Sequence, residues 1–252
     1  MSDSSNILER ALAAKKGGNY RVLVGIGQEI VDMLSRDAHT YQPMIPVLIG
    51  VAEALNKDKE SSLDARHFCL RGIESAIPNR IGGQSDEEEN ARYSQDYRNA
   101  VDTYVKLVET PCGEPHRFVY YQTLCRTEFN KSCAGLEDKA EYAWDAGVQG
   151  MLDNRNTVGV SERIELFRHV GCLPGISQKN AERLCDAFIE SVRQLREKEA
   201  QTNIFRSVLA STGSGLFFRD KLRNEICPSS SETSPDIPDR RKVRQFLDAL
   251  KS

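Results

Sequence analysis

The sequence predicts an all-α fold, and three observations support this. Nearly every segment between breaks carries apolar residues at intervals of three and four, which is the spacing of one helical face. The breaks contain glycine, proline or a capping serine, residues that typically begin or end helices. No segment shows the alternation of apolar and polar residues that is expected of a strand.

The connections between most of the predicted helices are short. Short connections favour antiparallel neighbours, so the sequence predicts an array of about nine antiparallel helices packed in series. In chain order, the helical patterns cover residues 6–16, 20–35, 43–55, 63–77, 86–110, 114–134, 140–151, 161–173, 177–195 and 202–224.

Local signals mark several boundaries. Gly17-Gly18 follows the first helix, and Pro43 opens the third, because proline is tolerated in a first turn. The acidic run at residues 86–89 complements the dipole at a helix start, and its consecutive side chains do not face one another as metal ligands would. Ser161 and Ser177 are the predicted N-caps of the last two long helices before residue 200.

Two segments need a separate interpretation. Residues 56–62 are polar and interrupt the apolar pattern, so they form either a loop or two turns of continuous helix. The Gly25-Ile26-Gly27 triplet follows no predicted strand, and we expect close helix packing there rather than a nucleotide site.

The chain divides into a folded body and a tail. Residues 1–226 form one predicted helical domain. Residues 227–238 are rich in serine, proline and aspartate and predict a flexible linker, and residues 239–252 predict a short amphipathic helix.

Composition excludes several classes of protein. The net charge of −3 and the pI near 5.9 argue against a nucleic-acid partner, which needs a basic surface. No apolar run is long enough to cross a membrane, and the polar N-terminus does not resemble a signal peptide. The 7 cysteines are odd in number and include no Cys-x-x-Cys pair, so we expect thiols and a cytoplasmic location.

The sequence carries no recognisable catalytic motif. Its 4 histidines lack the spacing of a metal site, and neither a nucleophile turn nor a phosphate-binding glycine loop is present. We therefore expect no enzymatic activity, no metal and no cofactor, with an active site assembled from distant residues as the open alternative. A strict tetratricopeptide array is disfavoured, because no self-similarity near its period of about 34 residues is visible.

Five stretches resemble four helices of the 14-3-3 family in their order and spacing. PVLIGVAEAL with RHFCLRGIES is similar to the long third helix of that family, and RFVYYQTLCRTEF to the fifth. EYAWDAGVQGM resembles the sixth helix and NAERLCDAFIESVRQL the eighth, which is the best match. The resemblance covers most of residues 5–224 thinly. It implies a cytoplasmic signalling adaptor that binds phosphoserine or phosphothreonine segments of partner proteins in a concave groove.

The resemblance also implies where a phosphate would bind, although the basic pattern of the family is altered here. Its third-helix lysine falls near Gly50, and its third-helix arginine near Lys57 or, if the insertion lies earlier, Arg66. Its fifth-helix Arg-Tyr pair falls on Asn130-Lys131, and Arg126 lies one turn earlier on the same face. The seventh-helix asparagine falls near His169. The ninth-helix asparagine and tryptophan have no clear counterpart. The candidate phosphopeptide-binding residues are Lys57, Arg66, Arg126, Asn130, Lys131 and His169.

Three further hypotheses follow. Thr233 and Ser234 are candidate regulatory phosphosites, since Pro235 follows them and a flexible linker lets the tail reach the groove. The resemblance implies a homodimer formed through the first helices, in which Leu8, Ala11 and Leu12 cover both the core and the interface. The alternative function is a phosphate-independent scaffold subunit of the tetratricopeptide or PCI type within a larger complex.

Overall fold

The structure is a computed structural model that describes residues 3–76, 87–110, 117–132, 137–173, 175–210 and 221–222. These residues are almost entirely helical and contain no strand, which confirms the all-α prediction for the described part of the chain. The helices are α1 (Asp3–Lys16), α2 (Tyr20–Arg36), α3 (Ala38–Tyr41), α4 (Ile45–Leu55), α5 (Ser62–Ala76), α6 (Glu87–Glu109), α7 (Arg117–Ser132), α8 (Glu137–Asp153), α9 (Val160–Gly171), α10 (Gln178–Arg193) and α11 (Lys198–Ala210).

Most boundaries follow the local signals. Gly18 adopts a φ of 64° after α1, and the Val22 amide donates to the Asn19 side chain at 3.3 Å to cap α2. Ser177 caps α10 as predicted, because its Oγ accepts from the Asn180 amide at 3.4 Å. The prediction for Ser161 was wrong: α9 begins at Val160 with Gly159 at the N-cap, which places Ser161 inside the first turn.

Residues 56–61 form a turn, which settles the open question about this segment. The Asp58 carboxylate accepts from the Glu60 amide at 3.2 Å and from the Ser61 hydroxyl at 3.1 Å. Such bonds from a short polar side chain to its neighbours stabilise turns over continuous helix. As a result α4 and α5 fold back and pack against each other, where the resemblance implied one long third helix.

Consecutive helices pack as neighbours along the chain. The pairs α4 with α5, α5 with α6, α7 with α8 and α9 with α10 have the most extensive contacts. Side-chain bonds show that the alternate helices α4 and α6 run in the same direction. Glu53 of α4 pairs with Thr103 of α6 and Asn56 with Thr110, so both helices advance together. The described helices therefore pack in series, and α4, α5 and α6 alternate in direction.

Contacts between alternate helices divide the array into two layers. One layer contains α4, α6, α8 and α10, and the other contains α5, α7 and α9. The core between them includes Trp144 of α8, Tyr104 of α6 and the edge-to-face pair of Phe118 and Phe167, whose ring centroids lie 5.4 Å apart. The second layer carries the site described below.

Glycines allow the closest helix contacts. A Cβ at Gly27 would lie 2.5 Å from Phe68 Cε2, so this glycine lets α5 approach α2. The predicted close packing is thus confirmed at Gly27, whereas Gly25 has no heavy atom within 4 Å of such a Cβ. Gly147 and Gly150 have the same role on α8, where they lie against Tyr121 and Cys125 of α7.

Some predictions concern residues outside the described part of the chain. These include the linker at 227–238, the terminal helix at 239–252, and residues 211–220 and 223–226 at the end of the predicted domain. Within the described residues, no helix is both long and apolar enough to span a bilayer. The cysteines described, namely Cys69, Cys125, Cys172 and Cys185, are not joined in disulfides.

Candidate functional site

The second layer gathers the predicted site residues on neighbouring helices. Arg66 belongs to α5, Arg126 to α7 and His169 to α9, while Lys57 lies in the turn that leads into α5. These helices pack side by side in the order α5, α7, α9. Residues separated by more than 100 positions in sequence therefore share one layer of the array.

Arg126 and His169 make direct contact. The Arg126 Nη2 atom lies 2.5 Å from the His169 Nε2 atom, and both side chains are exposed. A guanidinium group only donates hydrogen bonds, so Nε2 is the acceptor and carries no proton. The pair therefore carries one positive charge, on Arg126, beside a neutral imidazole that faces solvent.

The surroundings of His169 favour this neutral state. Partial burial lowers the pKa of His169 below its usual value, and the nearby charges of Arg126 and Arg168 lower it further. Glu165 opposes them, but its carboxylate is also engaged by Arg168 at 2.9 Å. Arg126 of α7 and Arg168 of α9 therefore flank an imidazole that is held in its neutral form.

Arg66 occupies a different environment from the one expected. Its side chain is only 3% exposed, and the guanidinium stacks 4.6 Å from the ring centre of Tyr120 on α7. It donates to the Leu107 carbonyl at 3.4 Å and to the Tyr120 hydroxyl at 3.5 Å. Because Leu107 lies in the last turn of α6, the cation also complements the negative end of that helix dipole. Arg66 thus joins α5, α6 and α7 from within.

The other candidate residues are only partly described. Lys57 is exposed in the turn between α4 and α5. Asn130 and Lys131 belong to the last turn of α7, but their side chains lie outside the described part of the structure, as do Thr233 and Ser234 altogether. The structure therefore brings together Arg126 and His169, and it places Arg66 beneath the same layer.

Sequence reasoning missed Tyr120 and Arg168. Tyr120 stands in the stretch that resembles the fifth helix, but only the fold reveals that its ring covers Arg66. Arg168 precedes His169 directly, and its basic charge beside a histidine was the available signal. Both residues affect the charges of this layer, because Tyr120 covers Arg66 and Arg168 pairs with Glu165.

The structure also contains a cleft that the sequence did not predict. It has a volume of about 580 Å³ and lies between α1, α2 and α3, where the Arg10–Glu29 ion pair at 2.9 Å crosses it. Its acidic and basic groups balance, since Asp32 and Arg36 also line it. None of the predicted site residues contributes to this cleft.

No group of three or more potential metal ligands occurs among the residues that the structure describes. Comparisons with family models, curated proteins and solved structures found no match to this chain.

Proposed function

We propose that this chain is a divergent 14-3-3-like adaptor that binds phosphoserine or phosphothreonine segments of partner proteins. The contact between Arg126 and His169 carries the proposal, because it brings two nitrogen-rich side chains from different helices together at the surface. We further propose that the second layer forms the concave side of a 14-3-3-like array. The adaptor would act in the cytoplasm as a homodimer, a location compatible with the thiol state of the described cysteines.

A phosphate group fits the chemistry of this pair. A phosphoserine carries a charge of about −1.5 to −2 near neutral pH and three acceptor oxygens. The planar fork of Arg126 is suited to two of these oxygens, and each charge-assisted bond contributes roughly 1.5–3 kcal/mol. Lys57, the remaining described candidate, is exposed in the turn before α5.

Arg66 is proposed here as a positioning residue. Its burial prevents direct contact with a ligand, but the stacked guanidinium holds Tyr120 at the junction of α5 and α7. The Tyr120 hydroxyl accepts from Arg66 and therefore keeps its own proton available for donation. In this way the Tyr120 hydroxyl would supply a hydrogen-bond donor to the second layer, although the basic residues of the family are altered here.

The alternative is a phosphate-independent scaffold subunit. Serial packing, in which the described helices make their most extensive contacts with near neighbours along the chain, is typical of helical scaffolds in general. The buried position of Arg66 also removes one cation from the proposed pocket. Equal affinity for phosphorylated and unphosphorylated partners would favour this alternative.

The test is a binding comparison with paired peptide libraries. Phosphorylated and unphosphorylated versions of the same degenerate serine and threonine peptides are titrated by fluorescence anisotropy. We expect phosphate-dependent binding that weakens by at least about tenfold in Arg126→Gln, since one or two charge-assisted bonds are lost.

Arg155→Gln is the matched control. Arg155 is also a surface arginine, but it pairs with Glu190 of α10 at 3.0 Å on the other layer. Its replacement should leave peptide affinity within about twofold, because surface ion pairs contribute little. Equal affinity of the wild-type protein for both libraries would refute phosphopeptide binding.

A further inference from the structure

The contact between Arg126 and His169 depends on the protonation state of the imidazole. In the neutral ring Nε2 accepts the guanidinium hydrogen, and the 2.5 Å contact is satisfied. In the protonated ring both nitrogens carry hydrogen, so two donors and two positive charges would face each other. Protonation therefore breaks this contact and leaves a gap between two cations.

An oxyanion would fill that gap. One phosphate oxygen accepts from Arg126 and another accepts from the protonated His169, which replaces a repulsive pair by two charge-assisted bonds. Both side chains are exposed, so a ligand can reach them without unfolding the layer. The charged groups that act on His169 are Arg126 from α7 and Arg168 and Glu165 from α9, and α10 contributes none of those described.

We infer that a phosphate group binds between Arg126 and His169 in place of their hydrogen bond and that His169 takes up a proton as it binds. This inference rests on the proposed function, whose ligand site it makes sensitive to pH. The proton comes from solvent and stays bonded to Nε2, and this N–H group donates a hydrogen bond to the phosphate. No covalent bond forms or breaks in the peptide.

The direction of the pH effect follows from linkage. Burial and neighbouring cations keep the pKa of His169 low in the free protein, and a bound anion raises it. Between these two pKa values, affinity increases as the pH falls, by at most about tenfold per pH unit for one proton. Above the pKa of the bound state, affinity is independent of this group. Below about pH 6 the phosphate itself loses charge and the gain ends.

The first measurement is the affinity of the phosphorylated library at pH 8.0 and pH 6.5. We expect the wild-type protein to bind at least about threefold more tightly at the lower pH. In His169→Gln the amide oxygen still accepts from Arg126 but does not titrate, so this difference should fall below about 1.5-fold. His67→Gln, which replaces an exposed histidine on α5, should keep the wild-type pH dependence.

The second measurement is the histidine ring signal in NMR titrations with and without inorganic sulfate, which keeps two charges throughout this pH range. We expect sulfate to raise the pKa of His169 and to leave the ring signals of His67 unaffected. If phosphate-dependent binding exists but His169→Gln retains the pH dependence, the inference is overturned and the adaptor function stands. If sulfate raises the pKa of His169 while peptides bind regardless of phosphate, the anion site is real and the adaptor function is refuted.

Discussion

Asn180 shows how a single buried polar side chain joins two helices. Its amide group is fully buried and donates to Asp145 of α8 at 2.9 Å, while its oxygen accepts from Arg183 at 3.1 Å. Lys179 completes the group with an ion pair to Asp145 at 2.8 Å. Buried polar groups that lose such partners are costly, so this network stabilises the packing of α10 on α8.

The network predicts a pH-dependent loss of stability in Asp145→Asn. Partial burial opposes ionisation of Asp145, but bonds from Lys179 and Asn180 and the charge of Arg183 outweigh it, so its pKa is lowered. The ionised carboxylate therefore stabilises the fold above its ordinary pKa of 3.8, and this contribution disappears as the pH falls through the lowered pKa. We expect a loss on the order of 1 kcal/mol at pH 7 after allowance for solvent screening.

Urea unfolding at pH 7 and at progressively lower pH measures this effect, and the difference from the wild type should shrink towards acid. Asp186→Asn is the control, because Asp186 is 65% exposed and pairs only at the surface with Lys221. It should change stability by less than about 0.5 kcal/mol. A pH-independent loss in Asp145→Asn would show that packing rather than charge is responsible.

At the scale of the helices, two glycines on α2 have opposite surroundings. Gly27 is buried against the Phe68 ring, whereas Gly25 is exposed with open space where a side chain would lie. Both are inside a helix, where alanine is intrinsically favoured over glycine. The difference between them is therefore a difference in helix packing alone.

This contrast predicts opposite effects of the same substitution. Gly27→Ala forces Phe68 or α5 to move and should destabilise the protein by about 1–3 kcal/mol. Gly25→Ala should stabilise it by about 0.5–1 kcal/mol through the backbone preference. Thermal unfolding should show a decrease of several degrees for the first variant and a small increase for the second. Equal effects at both positions would contradict the close contact of α2 and α5.

At the scale of the whole molecule, α1 presents two faces. Ile7 and Ala11 are buried against the core, whereas Leu8 and Leu12, which were expected to cover the core as well, are 45% and 56% exposed on the adjacent face of the helix. Leucines four positions apart on a helix form one apolar stripe. The proposed homodimer would cover this stripe.

Replacement of both leucines by glutamate should therefore disrupt a dimer without disturbing the core. We expect the wild-type protein to have the mass of two chains in light scattering after size exclusion, and Leu8→Glu/Leu12→Glu the mass of one. Leu63→Glu is the control, since Leu63 is 59% exposed but lies on α5. A monomeric wild-type protein at micromolar concentration would refute the dimer.

The sequence by itself determined the helices, because their signals are local. Apolar spacing, Gly18 after α1 and the Ser177 cap act within a turn or two of the chain. Ser161 misled because a capping side chain within the first turn has the same sequence signature as one at its start. The segment at 56–62 stayed open because its polar residues suit a turn and an exposed helix equally well.

Only the tertiary structure decided which basic residues face solvent. Arg66 and Arg126 look alike in sequence, yet one is covered by Tyr120 and the other is exposed beside His169. Whether each arginine is buried or exposed depends on how α5, α7 and α9 pack. This packing involves contacts between residues tens of positions apart. Helical periodicity specifies which face of each helix is apolar, but it carries no information about which helices become neighbours.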